Sequence, residues 1–136
     1  MSRTYWFKLI KSGMTDWIIP DSTFIKVSST PEIIQDSDAY RDGLGVLHRD
    51  TLSHKVAKFV AIIAPMYEDA SDAFIAKLNS YIVDADERKV RMQYWNKWKR
   101  VYETGDFYVP DVTFTTLADT DSGVLYDQTE LHFDKY

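Results

Sequence analysis

The fold of this chain is decided by residues Ser53–Ile82, which read SHKVAKFVAIIAPMYEDASDAFIAKLNSYI. The first part of this stretch alternates between polar and apolar residues, and it then becomes apolar on both faces over Phe59–Ala64. A short run of this kind, rich in β-branched residues, is typical of a strand in the interior of a sheet. We therefore expect a strand over Ser53–Pro65, covered on one side by a sheet and on the other by a helix.

The helix is predicted directly after this strand, at about 66–82. Pro65 suits a first helical turn, and the acidic residues that follow it complement the positive N-terminal end of the helix dipole. Apolar residues then recur at a spacing that places them on one face of a helix. This face consists of Ala70, Phe74, Leu78, Tyr81 and Ile82.

Short apolar and aromatic segments on both sides of this unit predict further strands. They are Thr4–Ile10, Met14–Ile19, Thr23–Ser28, Arg88–Trp95, Trp98–Glu103, Phe107–Val109, Val112–Leu117 and Val124–Phe133. Turn-forming residues concentrate between the third of these and the central strand, which predicts a long exposed loop at about 29–50 with room only for short strands at Glu32–Gln35 and Val46–His48. The sequence thus predicts a single β-rich α+β domain over residues 1–136, with two packed antiparallel sheets in a sandwich or barrel and one central helix.

Composition and charge exclude several classes of protein. The chain is 45% hydrophobic and 27% charged, which is typical of a globular protein, and it has no cysteine for disulfides, thiolate metal sites or nucleophiles. Residues 1–102 contain 15 Lys and Arg and 13 Asp and Glu. Residues 103–136 contain one Lys and eight Asp and Glu, so the negative charge is concentrated there. Because duplex-DNA binding needs a basic excess, we do not expect a grip on nucleic acid. No apolar run approaches the ~20 residues of a membrane helix and no signal peptide is recognised, so we expect a soluble protein without membrane contact.

Catalytic and ligand-binding motifs are missing from the sequence. The three histidines, His48, His54 and His132, have no metal-ligand spacing, and no Gly-x-Ser-x-Gly elbow occurs. The acidic residues between Asp36 and Asp42 do not follow the spacing of a calcium-binding EF-hand loop. The sequence therefore predicts no catalytic, metal-binding or cofactor-binding residue, and a protein that is not an enzyme.

The segment Arg88–Glu103 predicts a β-hairpin with its turn at Asn96-Lys97. In that register Trp95 faces Trp98, and one face of the hairpin is rich in Trp, Tyr and Arg, the residue types that dominate interface hot spots. The opposite face is the predicted core side, and it contains Val90, Met92, Tyr94 and Val101. The first face indicates either a contact with a neighbouring subunit or an ordinary cross-strand aromatic pair with stacked arginines.

Two motifs carry a resemblance to a known group of proteins. The first motif leads into the central strand and reads Gly45-Val46-Leu47-His48-Arg49-Asp50-Thr51-Leu52. The second motif follows the Arg88–Glu103 hairpin and reads Thr104-Gly105-Asp106-Phe107-Tyr108-Val109-Pro110-Asp111. A final aromatic strand ends in Leu131-His132-Phe133. In this order of elements the chain resembles small tail proteins of phages and prophages of Gram-positive bacteria. It is similar to tail-tube subunits and to the N-terminal domain of distal tail (tail hub) proteins.

The resemblance implies a structural virion protein of the phage tail, made in the cytoplasm of the bacterial host. Six copies of such proteins typically form a ring, and rings stack, with other tail proteins above and below, around a channel that DNA passes without specific binding. It also implies that the long loop, here Pro31–Asp50, contacts the adjacent ring. We accordingly predict lateral contacts through Trp95, Trp98 and Arg100, and contacts between rings through Tyr40, Leu44 and Leu47.

A monomeric β-barrel module that binds a small apolar or carbohydrate ligand is the alternative function. Such a module needs an enclosed pocket with several aromatic walls, whereas a ring subunit needs a solid core and exposed contact surfaces. Packing in the interior therefore distinguishes the two.

Overall fold

The computed structural model of the protein describes residues 3–33, 36–41, 43–51 and 56–136. The described residues form one α-helix, α1 (Glu68–Ser80), and a short 3₁₀ turn at Asp21–Thr23. The strands are β1 (Phe7–Ile10), β2 (Trp17–Ile18), β3 (Phe24–Ile33), β4 (Asp36–Arg41), β5 (Leu47–Thr51), β6 (Val56–Ile63), β7 (Met66–Tyr67), β8 (Lys89–Asn96), β9 (Val101–Tyr108), β10 (Thr116–Thr120), β11 (Gly123–Tyr126) and β12 (Thr129–Lys135).

Seven of these strands form one antiparallel sheet in the order β2-β1-β8-β9-β12-β6-β3. This sheet curls back on itself, because the ring of Phe7 in β1 lies 5.0 Å from Phe59 in β6 and 5.7 Å from Phe24 in β3. Strands β10, β11 and β7 form a small second sheet, and β4 pairs with β5. The predicted fold class, antiparallel sheets with one helix, is confirmed. The two halves of the curled sheet supply the packed layers.

Alternating side chains fill the interior of the curled sheet. Along β8, Val90 and Met92 are buried while Arg91 between them is exposed, as a period of two requires. The predicted core side of this strand is therefore confirmed, although Val101 on β9 is partly exposed. The other buried members of the core are Phe7, Leu9, Ile19, Ala57, Phe59, Ala61, Ile63, Leu78, Tyr81, Tyr94, Phe107, Val109, Leu131 and Phe133.

The helix is confirmed but begins later than predicted, because Met66 and Tyr67 pair with β11 as β7. Helix α1 packs mainly on β7 and β11. It also contacts β2, because the ring of Phe74 in the helix lies 5.7 Å from the ring of Trp17. The expectation that the helix covers the outer face of the central strand is thus wrong, and Val60 on that face is only half-buried. Ala70 is exposed instead of lying in the buried face of the helix.

The segment at about 29–50 is a correction to the sequence prediction. The sequence predicts a long loop with only short strands at Glu32–Gln35 and Val46–His48, whereas β3 continues to Ile33 and β4 pairs with β5 (Leu47–Thr51) in a hairpin. The turn-forming residues at Gly43–Val46 form the bend of this hairpin and are not part of a longer loop. Gly45 takes a φ of +83° there, and Arg41 Nη1 donates a hydrogen bond of 3.0 Å to its carbonyl oxygen. His54 and Asp42 lie outside the described residues.

Candidate subunit-contact surfaces

The hairpin of β8 and β9 differs in register from the sequence prediction. Trp95 pairs with Tyr102 and Asn96 with Val101, so the prediction that Trp95 faces Trp98 is wrong. The connection is the four-residue turn Lys97–Arg100, called the Trp98 turn below. The register moves by four residues, an even number, and the two faces of the hairpin are therefore assigned correctly.

The side chain of Asn96 selects this longer turn. Its Oδ1 accepts a hydrogen bond of 3.1 Å from the Lys99 backbone N–H, and its carbonyl oxygen accepts one of 2.7 Å from Arg100. Arg100 takes a φ of +57°, in the left-handed region. The hydrogen bond from the Lys99 N–H to the Asn96 side chain stabilises the four-residue turn over the two-residue turn predicted from the sequence.

Trp95 is removed from the candidate contact set because it is 3% exposed. Its ring lies edge-on to Tyr102 at 4.9 Å, and the ring of Tyr5 stacks on the same tyrosine at 4.6 Å. The Tyr102 hydroxyl accepts hydrogen bonds from the backbone N–H groups of Thr4 (2.6 Å) and Tyr5 (3.1 Å). Residues 3–6 thus cover the aromatic face that the sequence assigned to a neighbour.

Trp98 is a candidate contact residue, since it is 81% exposed at the end of the hairpin. Lys97 and Arg100 beside it are exposed as well. The ammonium group of Lys99 lies 3.4 Å from Glu32 Oε1 and 3.3 Å from Glu103 Oε1. The Trp98 turn therefore presents an indole ring between two exposed cations.

A polar network holds this turn in place. The Asn96 side-chain amide donates to Glu32 Oε1 at 2.7 Å, and the Tyr94 hydroxyl donates to Glu103 Oε2 at 3.0 Å. Burial raises the pKa of Tyr94 well above its usual range, and the Glu103 carboxylate raises it further. Burial alone would raise the pKa of Glu103, but hydrogen bonds from Tyr94, Asn96 and Lys99 prevail and lower it. Hydrogen bonding and charge from Glu103, followed by those from Glu32, raise the pKa of Lys99.

The bend of the β4–β5 hairpin is the second apolar surface. Leu44 is 91% exposed and Leu47 is 46% exposed. The Tyr40 backbone pairs with His48 in this hairpin, but the side chains of both lie outside what the structure describes. Because β3 ends at Ile33, one residue after Glu32, the hairpin starts at the same end of the sheet as the Trp98 turn. The hairpin that carries Leu44 and Leu47 thus follows β3 in the chain at the end of this strand where Glu32 binds Asn96.

Strand β3 is a third candidate surface, because it forms an edge of the seven-stranded sheet over ten residues. Ile25 is 54% exposed on it, whereas the strand at the opposite edge, β2, has only two residues. A long edge offers unpaired backbone groups to another strand. Register irregularities near Phe24 and Thr30 bend it at both ends.

The interior of the described protein offers little room for a ligand. A partly open pocket between α1 and the sheets has a volume of only about 10 Å³, enough for one water molecule. Two larger depressions are open grooves. One, of about 190 Å³, is lined by Asp111, Thr113, Thr115, Gln128, Glu130 and His132. The other, of about 320 Å³ and called the α1 groove below, is lined by Ser22, Thr23, Ala64, Met66, Ala70 and Phe74.

The described residues provide neither a metal-binding cluster nor a membrane-spanning helix. These residues contain no group of three or more His, Asp or Glu side chains arranged to hold a metal ion. His132 Nε2 lies 3.5 Å from Glu130 Oε2 as an isolated pair. No helix in the described part of the chain has the length and apolar character needed to cross a membrane.

Residues 7–136 match the model of a family of unknown function, DUF6711. The chain belongs to this family. No protein with a curated description matches this DUF6711 chain. Among solved structures it is similar to a chain of the "Tail of empty GTA particle computed with helical refinement, C6 symmetry". The TM-score is 0.51 at 12% identity, over 97% of the DUF6711 chain and 90% of the other, so the two share a fold.

Proposed function

We propose that this DUF6711 protein is a structural subunit of a phage tail that assembles into a six-membered ring around the DNA channel. The observation that carries the proposal is the shared fold with a chain of a C6-symmetric tail particle, which extends over nearly the whole length of both chains. The similarity covers 97% of this chain and 90% of the other, so the two chains share one architecture over the aligned length. The proposed location is the virion tail, after synthesis in the cytoplasm of a Gram-positive host.

The packing of the protein supports a structural role over the alternative of a ligand-binding module. Aromatic rings fill the space between the halves of the curled sheet, with Phe59 5.6 Å from Tyr94 and Tyr94 5.1 Å from Phe107. The pocket beside α1, of about 10 Å³, is far below the roughly 300 Å³ of a small ligand site. The described interior is therefore a solid core.

The β3 edge supports lateral assembly. A ring requires a heterologous contact, in which one patch of each copy meets a different patch of the next. In the proposed ring, the backbone groups along β3 pair with a strand of the neighbouring copy, which continues the sheet across the contact.

The β4–β5 hairpin supports contacts between rings. An isolated two-stranded hairpin is at best marginally stable in water, and this one exposes Leu44 and Leu47 at its bend. A neighbouring ring that covers the bend removes this apolar area from water. The net charge of −5 is compatible with a channel through which DNA passes without specific binding.

The test is the solution mass of the purified chain by light scattering, followed by negative-stain imaging. We expect particles of about six times the 15.8 kDa chain mass, seen as rings or short tubes with six-fold symmetry. A protein that remains a 15.8 kDa monomer at every concentration contradicts the proposal. Binding of a sugar or apolar ligand by such a monomer would favour the module instead.

A further inference from the structure

The α1 groove and the Trp98 turn lie at opposite ends of β3. Thr23 in the groove immediately precedes the first residue of β3, and Glu32 near its last residue binds the Trp98 turn through Asn96. Ten residues of strand span roughly 30 Å. The Trp98 side chain of one molecule therefore cannot reach the groove of the same molecule.

The two ends are complementary in shape. Trp98 is 81% exposed and projects from a turn that Asn96 and Glu32 hold in place. The α1 groove has a volume of about 320 Å³, at the lower end of the roughly 300–1,000 Å³ of ligand clefts. Its walls include Ala64, Met66 and Phe74, which are suited to an indole ring.

The two ends are also complementary in charge. Lys97 and Arg100 are exposed on either side of Trp98. Helix α1 begins beside the groove, and its first turn carries Glu68 and Asp69, both exposed. An aromatic anchor in an apolar pocket, surrounded by opposite charges, is the arrangement that concentrates binding energy in protein interfaces.

We propose that the Trp98 turn of one copy docks into the α1 groove of a second copy, as a head-to-tail contact. Trp98 supplies the anchor, and Lys97 and Arg100 meet Glu68 and Asp69. A heterologous contact forms a closed ring only when its rotation closes, and one that repeats along the ring axis produces an open stack instead. This inference rests on the proposed function, because it takes the binding partner of the Trp98 turn to be a second copy of this chain. It assigns Trp98 and Arg100 to contacts between rings instead of the lateral contacts expected from the sequence.

Thiol cross-linking tests the contact directly, because the chain has no cysteine of its own. The variant Lys97→Cys/Ala70→Cys keeps Trp98 and places one thiol at each end. We expect a short thiol-reactive cross-linker to produce a ladder of covalent multimers. A link within one molecule is excluded by the separation of the two sites. Each single variant gives at most a dimer, and an equimolar mixture of the two gives the mixed dimer.

Two further changes test whether Trp98 is the anchor. Trp98→Ala in the double-cysteine chain should lower the yield of multimers on the order of tenfold or more. Val83→Ala, which truncates another exposed apolar side chain, should leave the ladder unchanged. Equal effects of the two truncations would overturn the role of Trp98.

The ladder and the rings report on different proposals. Six-fold rings of the wild-type chain without a ladder from the double-cysteine variant would overturn the head-to-tail contact and leave the ring proposal in place. A ladder without rings would support the contact and contradict the ring. A chain with neither contradicts both.

Discussion

The side-chain amide of Asn96 donates a hydrogen bond of 2.7 Å to the carboxylate of Glu32, and this bond joins the end of the β8–β9 hairpin to the end of the edge strand β3. Asn96 is fully buried, and its Oδ1 also fixes the Trp98 turn through Lys99. One side chain therefore determines both the shape of the turn and its position against the strand. The exposed Trp98 is held on this support.

Asn96→Ala should lower the free energy of unfolding by about 1–3 kcal/mol, because Glu32 loses a buried donor and the Lys99 N–H loses its acceptor. Urea denaturation followed by tryptophan fluorescence measures the change. Asn79→Ala, at an exposed position of α1, is the matched control and should change stability by less than about 0.5 kcal/mol. Equal effects of the two substitutions would contradict the role given to Asn96.

The stabilising effect of Glu103 should depend on pH. Its pKa in the folded protein is lowered, so it contributes stability above its unfolded pKa of about 4.3 and loses that contribution as the pH falls through the folded pKa. The stability difference between wild type and Glu103→Gln should therefore be largest near neutral pH and shrink in acid. Urea melts from pH 7 to pH 3 measure it, with Asp119→Asn, at an exposed carboxyl of β10, as the control. A difference that stays constant over this range would refute the assignment.

Tyr102→Phe should release the N-terminal segment while the core remains folded. The hydroxyl of Tyr102 accepts from the Thr4 and Tyr5 amides, and without it both lose their acceptor. Hydrogen exchange at these two amides should become faster, whereas exchange in β8 should stay slow. Tyr67→Phe, at a partly exposed tyrosine, is the control. Unchanged exchange at Thr4 and Tyr5 would show that other contacts hold the segment.

Reversing the charges on one side of the proposed contact should disrupt end-to-end assembly. Reversing the charges on the other side as well should restore it. Lys97→Glu/Arg100→Glu, or Glu68→Lys/Asp69→Lys, should each shorten stacks seen by electron microscopy, and the combination of both pairs should restore them. Wild-type stacks should shorten as salt increases, because the pairs are at the surface. Asp121→Lys, on the exposed turn before β11, controls for net charge. If the combined variant does not regain stacking, the pairing of these charges is wrong.

The central strand and the helix could be predicted from sequence because their signals are local. The apolar run at Phe59–Ala64 and the spacing of Phe74, Leu78 and Tyr81 depend only on neighbouring residues. Even there, the pairing of Met66 and Tyr67 with β11, some sixty residues away, delays the start of the helix. Local periodicity contains no information about that partner.

The contact residues could be predicted only in part. Trp98 is exposed as expected, but Trp95 is covered by a segment about ninety residues earlier in the chain, through Tyr5 and Tyr102. The register of the hairpin depends on the hydrogen bond that the Asn96 side chain accepts from the Lys99 N–H. A prediction from turn propensity does not take this bond into account. The α1 groove combines residues from the 3₁₀ turn, β7 and α1 with Ala64 between β6 and β7, and no local sequence pattern connects these segments.

The position of β12 has a consequence for synthesis of the chain on the ribosome. β12 pairs with β9 on one side and β6 on the other, so it alone joins the half-sheet β2-β1-β8-β9 to the half-sheet β6-β3. Until Thr129–Lys135 has been translated, a nascent chain holds two half-sheets with no ladder between them. The Phe7–Phe59 contact across the core is then not enforced, and folding waits for pairings of long sequence separation. A chain that stops before Thr129 therefore lacks the strand that joins the half-sheet with the Trp98 turn to the half-sheet with the β3 edge.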